Sequence, residues 1–157
     1  MVNLTKIVYT EAVKYLKKLG VKIPKHEVVF RDGYSGSYVY RSFYETKLVL
    51  GKYLTNRLRR RFVMHELIHV IASEKELPAY FRKQEKISEK LPLHLLSGLP
   101  DIVRPRGFAS WYAKLSDGEE ALCELLGWVY SNGSFYKTVI PADLSESFKK
   151  ALAWLRK

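Results

Sequence analysis

Two histidines four residues apart with a glutamate beside the first, His65-Glu66-Leu67-Ile68-His69, carry the most legible chemistry in this chain. On a helix the two imidazoles share one face and can clamp a single metal ion. Glu66 then stands about 100° around the same turn, beside an open coordination position. A carboxylate placed there can take a proton from an ion-activated water, which is what metal-assisted hydrolysis requires. All other residues from Phe62 to Ala72 are apolar, so this helix is expected to be buried on nearly every side. Two buried imidazoles and a carboxylate left without partners would be strongly destabilising, and a cation satisfies all three at once. The competing account keeps the histidines as core residues hydrogen-bonded to backbone or carboxylates, with Glu66 in an ion pair.

A catalytic zinc takes three protein ligands and keeps a fourth position for water, so a third ligand is needed. A longer H-E-x-x-H-x-x-G-x-x-H run is ruled out, because Ala72 and Lys75 occupy its glycine and last histidine positions. His94 lies between prolines in an irregular stretch, and Glu89 lies in the most highly charged segment. The preferred source is the stretch from Gly118 to Tyr130, in which Glu124 is the only charged residue after Glu120. A buried helix carrying carboxylates needs a reason for them. Glu120 and Glu124 share a face, and Cys123 and Gly127 flank it with small side chains that let another helix come close. Glu120 is assigned as the third ligand and Glu124 as the acceptor of a liganding histidine's spare N–H; the two can be exchanged. Ser116 with Glu119, or Asp117 with Glu120, also fits a capping box, and the first pair alone would leave Glu120 free.

The positioning elements follow from periodicity and punctuation. Thr5 to Leu19 has apolar residues at helical spacing and ends at Gly20. His26–Phe30, Ser37–Phe43 and Lys47–Leu50 are short, rich in valine, tyrosine and phenylalanine, and predict strands of a small antiparallel sheet. Thr55 or Asn56 can cap the histidine helix, which should run to about Ser73. Pro78 opens a charged helix from Ala79 to about Lys90, and Leu93–Ser110 is an irregular connection. A helix from Asp117-Gly118 to about Ser131, one more strand over Ser134–Ile140 and a final amphipathic helix, Asp143–Arg156, complete the chain.

With this order of elements, His65, Glu66 and His69 followed by an E-x-x-x-E helix at Glu120 and Glu124 resemble the zincin metallopeptidases of the glutamate-ligand type, the gluzincins. The small size is similar to the single-domain minigluzincins. The resemblance implies an α+β, zincin-like fold over residues 1–157, with a small antiparallel or mixed sheet, a histidine helix and a glutamate helix. It implies a zinc-dependent peptidase, most simply an endopeptidase, acting on a peptide or protein substrate. The metal ligands would be His65, His69 and Glu120, and the general base Glu66. The substrate would lie extended along an edge strand, offered here by Lys47–Leu50 with Ser37–Phe43. Tyr112 and then His94 are the first choices for stabilising the oxyanion. Arg61, one turn before His65, could shape the pocket and favour acidic or polar groups. A catalytically silent, zincin-like metal-binding or regulatory protein is the alternative within the same fold.

Composition sets the limits. With 157 residues, 47% of them hydrophobic, the chain can form one domain with a real core. A single cysteine, Cys123, forbids an intramolecular disulfide, and no apolar run is long enough to span a membrane. A soluble, cytoplasmic protein is expected. The net charge of +11, with clusters at Arg57–Arg61, Arg82–Lys90 and the C-terminus, leaves a second class open, a basic protein associated with nucleic acid. No nucleic-acid-binding motif accompanies the charge, and a solubilising surface explains it as well.

Overall fold

The computed structural model describes residues 3–31, 36–53, 55–78, 81, 118–140 and 142–157. Its elements run α1 (Leu4–Lys18), β1 (Glu27–Phe30), β2 (Ser37–Arg41), β3 (Thr46–Leu50), α2 (Asn56–Ala72) and α3 (Gly118–Ser131). A 3-10 turn at Ala142–Leu144 then leads into α4 (Ser145–Arg156). Four α-helices and one three-stranded sheet among the described residues make the fold α+β. None of these helices is long and apolar enough to cross a membrane.

Local chemistry fixes the helix ends. The Asn3 side chain accepts the Lys6 N–H at 3.1 Å, and the Thr55 hydroxyl accepts the Leu58 N–H at 3.2 Å, so α1 and α2 each start on a satisfied cap. Gly20, at φ 81°, lets α1 close with Val21 N–H bonded back to the Leu16 carbonyl.

The sheet order is β1-β3-β2, with β3 antiparallel to β2 and parallel to β1. Of the antiparallel or mixed sheet expected, the mixed form is found, and the wholly antiparallel pairing of these three strands is corrected. So is the role given to Lys47–Leu50, which forms the centre of the described sheet rather than an edge. The physical reason lies in burial: Leu48, Val49 and Leu50 are almost wholly buried, whereas β1 and β2 carry Glu27, Tyr38, Tyr40 and Arg41 and tolerate the rim. β2 and β3 are joined by a turn in which Ser42 Oγ accepts the N–H groups of Tyr44 and Glu45. That local cap ends β2 at Arg41, short of the expected Phe43.

Helix α2 is the shaft of the molecule. Val63, Met64, Leu67, Ile68, Val70 and Ile71 are fully buried, which requires neighbours on all sides, and α1, the sheet and α3 supply them. Helix α3 comes close at Gly127, where a Cβ would lie 2.6 Å from the Arg61 carbonyl oxygen and 3.3 Å from His65 Cβ. Beyond the site, Trp154 Nε1 donates to the Glu76 carbonyl, and Lys75 Nζ donates to the carbonyls of Trp154 and Leu155, tying α4 to the segment after α2.

Ser134–Ile140, expected as a strand, forms turns. The Lys137 N–H is accepted by Ser134 Oγ, and the Thr138 hydroxyl contacts the Val129 and Ser134 carbonyls at 2.8 Å. Such side-chain bonds compete with a strand ladder. Apart from Phe81, the helix expected from Ala79 to Lys90 and the stretch Leu93–Ser110 lie outside the described residues. So do Glu89, His94, Tyr112, Ser116 and Asp117.

Gly127→Ala should lower stability by about 1–3 kcal/mol through overpacking against backbone, although alanine is the better helix former. Denaturant unfolding with an unchanged slope and an earlier midpoint would register it; an unchanged or later midpoint would contradict the close approach of α2 and α3.

Candidate metal centre

His65, Glu66 and His69 lie on the face of α2 turned toward β2 and α3, and each is buried. One donor atom from each can be chosen so that all lie within 4.8 Å of one another, so this buried group could hold a metal ion. Glu120 reaches the same point from α3. Its Oε1 is 2.7 Å from His69 Nε2 and its Oε2 is 3.3 Å from His65 Nε2, while the two Nε2 atoms are 3.1 Å apart. A tetrahedral ion with bonds of about 2.0–2.1 Å keeps its donors about 3.3–3.4 Å apart. The observed triangle has that scale and is slightly tighter. Two imidazoles and a carboxylate form a donor set suited to zinc and its neighbours.

The other ring nitrogens are held as well. His69 Nδ1 is 2.7 Å from Glu119 Oε2, and His65 Nδ1 is 2.6 Å from Glu124 Oε1, the second contact too bent for a straight hydrogen bond. A guanidinium backs each carboxylate: Arg41 Nη2 is 3.1 Å from Glu119 Oε2, and Arg61 Nη2 is 2.6 Å from Glu124 Oε2. Arg41 also donates to the His69 backbone carbonyl. Carboxylates on both Nδ1 atoms favour the tautomer whose Nε2 lone pairs face the common centre.

Charge counting supports the fit. Glu66, Glu119, Glu120 and Glu124 face Arg41 and Arg61, leaving two negative charges over. One divalent ion on neutral imidazoles cancels them; without it, two protons on the imidazoles do the same. The pKa shifts of the metal-free site run in the direction of that second arrangement. Burial alone would lower the His65 pKa, but the Glu124 charge, contacts with Glu120 and Glu124 and the Glu66 charge together lift it to about 10. Burial likewise opposes ionisation of Glu120, yet its contacts with both histidines bring its pKa down to about 2. Glu124 is also held well below the usual carboxylate range, burial being outweighed by Arg61 and His65. Glu66 differs: burial raises its pKa despite the nearby histidines and the Ser37 hydroxyl, which donates to Oε1 at 3.1 Å.

These groups open onto a cleft of about 580 Å³. Ser37, Val39 and Arg41 of β2 line one wall, Glu119, Glu120 and Glu124 of α3 the other, and Phe62, His65, Glu66 and His69 the floor. Tyr53 stacks on Phe62 with ring centroids 5.6 Å apart, giving the cleft an apolar end. No residue of α4 is among those lining it.

The fold thus brings together His65, Glu66, His69, Glu120 and Glu124. Arg61 is corrected: instead of facing the pocket to select acidic groups it is 1% exposed and turned to Glu124, since a guanidinium buried without a counter-charge would be far more costly. Sequence reasoning missed three residues. By sequence Glu119 fits a helix cap, and Ser37 and Arg41 read only as strand. The alternation Ser37, Val39, Arg41, which places all three on one face of β2, was the available signal.

The arginine cluster is largely used internally. Arg57 donates to Asn132 Oδ1, Arg59 to Asn56 and the Tyr53 carbonyl, and Arg60 to the Gly133 carbonyl while lying 4.4 Å from the Tyr130 ring centroid.

Because His65 titrates near pH 10 in the metal-free fold against 6.5 for the free imidazole, its stabilisation is complete below pH 6.5 and fades as pH rises toward 10. Thermal melts of the chelator-treated chain should fall across that window, and His65→Gln should flatten the fall; an equally steep fall in the variant would contradict the assignment. No family model, curated protein or solved structure matches this chain.

Proposed function

We propose that the chain is a zinc-dependent peptidase, a zincin of the glutamate-ligand type, and most simply an endopeptidase. The observation that carries this reading is the meeting of His65 Nε2, His69 Nε2 and the Glu120 carboxylate within 2.7–3.3 Å, with Glu66 in the same cleft. His65, His69 and Glu120 would hold the ion. Once bound, it would supply Lewis acidity toward a carbonyl oxygen and make a water at the open position more acidic.

The remaining steps belong to the protein. Glu66 takes the proton from the attacking water and passes it to the departing amine. The rise in its pKa caused by burial moves it toward the range in which a general base works best near neutrality. Ser37 orients it through the bond to Oε1 and leaves Oε2 for the reacting proton. Glu124 and Glu119 hold the histidine rings through Nδ1. A peptide lying extended along β2 would use the backbone of that strand for register, and the stacked Tyr53 and Phe62 would receive an apolar side chain beside the floor of the cleft. Arg57, Arg59, Arg60 and Arg61 make bonds within the fold, so the nucleic-acid alternative would lean on the other basic clusters.

Purified without chelator, the chain should carry close to one equivalent of zinc and cleave an unfolded, fluorescently labelled protein. Glu66→Gln should keep the zinc and lose about 10²–10⁴-fold in rate; cleavage equal to that of the unsubstituted chain would remove the mechanism, and a zinc-binding chain that cleaves nothing would favour the silent, metal-binding alternative. Glu120→Ala should weaken zinc binding more than Glu124→Ala, and the reverse order would exchange their roles.

A further inference from the structure

Arg41 ends strand β2, yet its guanidinium sits where three elements meet. Nη2 donates to the His69 backbone carbonyl on α2 and to Glu119 Oε2 on α3 at 3.1 Å, and Nη1 reaches Glu119 Oε1 at 3.4 Å. The same Oε2 lies 2.7 Å from His69 Nδ1. A planar fork of donors fixes both the position and the plane of the carboxylate it holds. That carboxylate then fixes the ring beyond it.

The matching chain, Arg61 to Glu124 to His65, lies wholly inside the interface of α2 and α3, and its arginine and carboxylate side chains are 2% and 0% exposed. The Arg41 chain differs in origin. Its guanidinium comes from a strand at the rim of the described sheet, the strand whose other inward residues, Ser37 and Val39, line the cleft. Rigid core packing therefore holds His65, whereas the seating of β2 holds His69.

On the reading that His65, His69 and Glu120 bind an ion, we infer that Arg41 is a positioning residue for that ion: through Glu119 it sets the orientation and tautomer of the His69 ring, so the grip on the metal depends on how β2 is seated. Arg41 touches neither the ion nor a reacting atom in this arrangement. A lysine at the position supplies the charge without the fork and does the job only in part.

Zinc affinity measured by competition with a chromophoric chelator tests this, together with nitrogen NMR of the His69 ring, for the unsubstituted chain, Arg41→Met, Arg41→Lys and the control Arg57→Met. Arg41→Met should weaken zinc binding about 10–100-fold and shift and broaden the His69 ring nitrogen signals of the zinc-loaded protein, which form a single sharp set in the unsubstituted chain. Arg41→Lys should recover part of the affinity, and Arg57→Met should stay within about twofold of the parent, since Arg57 lies outside the networks on which the metal grip depends. Unchanged affinity in Arg41→Met overturns the inference. So does a loss of affinity with the His69 ring signals unaltered, because lost charge alone would then suffice. If Arg41→Met fails to fold, Glu119→Gln breaks the same link from α3, and retained affinity there is equally fatal. An unsubstituted chain that takes up no zinc overturns the metal reading and this inference together, a result seen before any substitution is made.

Discussion

A carboxylate behind each imidazole and a guanidinium behind each carboxylate form the interaction on which the rest of this structure depends. Buried charges are tolerable only when the set closes on itself, because each ion removed from water must recover its hydration from neighbours. Here the set runs from Arg61 through Glu124 to His65, meets Glu120, and returns through His69 and Glu119 to Arg41. Counted with Glu66 beside it, the set is two positive charges short with neutral imidazoles, a deficit that protons or one divalent ion would fill. The protein can therefore fold around the site before an ion arrives, with the histidines protonated as stand-ins. On the proposed reading, metal uptake would be an exchange of one dication for protons, which would tie affinity to pH.

Packing gives this network its fixed frame. Helix α2 is apolar around the pentad, so its rotation is set from every side, and Gly127 lets α3 approach until Glu120 and Glu124 reach the histidine face. Glu119 and Glu120 are adjacent, about 100° apart on the helix, and that divergence lets one hold His69 from behind while the other sits between both rings. The sheet contributes through a single face of β2, whose alternation delivers Ser37 to Glu66 and Arg41 to Glu119.

Much of this was legible in the sequence, and the parts that were not share a cause. The pentad and the E-x-x-x-E spacing identify pairs on one element, because helical periodicity converts spacing directly into geometry. The buried setting of α2 follows from Phe62 to Ala72 in the same way, and the need for small residues on α3 from Cys123 and Gly127. Partners across elements are a different matter. Nothing in the spacing of Arg41 or Glu119 says that they meet, and Arg61 could be placed on the right face of α2 without revealing that Glu124 would claim it. Sheet order was hidden for a similar reason: the hairpin joining β2 to β3 is local, whereas the parallel pairing of β1 with β3 depends on which strand the core demands at the centre. Over Ser134–Ile140 a strand is expected, but Ser134 and Thr138 meet the backbone's hydrogen-bonding needs locally.

The histidine pair on α2 and the carboxylates on α3 stand about fifty residues apart in the chain, with consequences during synthesis. A polypeptide emerging from the ribosome presents His65 and His69 well before Glu120 exists, and a single helical turn is enough to make that pair a bidentate chelator. On the proposed reading, an ion captured then would be held by half a site and would exchange freely until the α3 carboxylates dock.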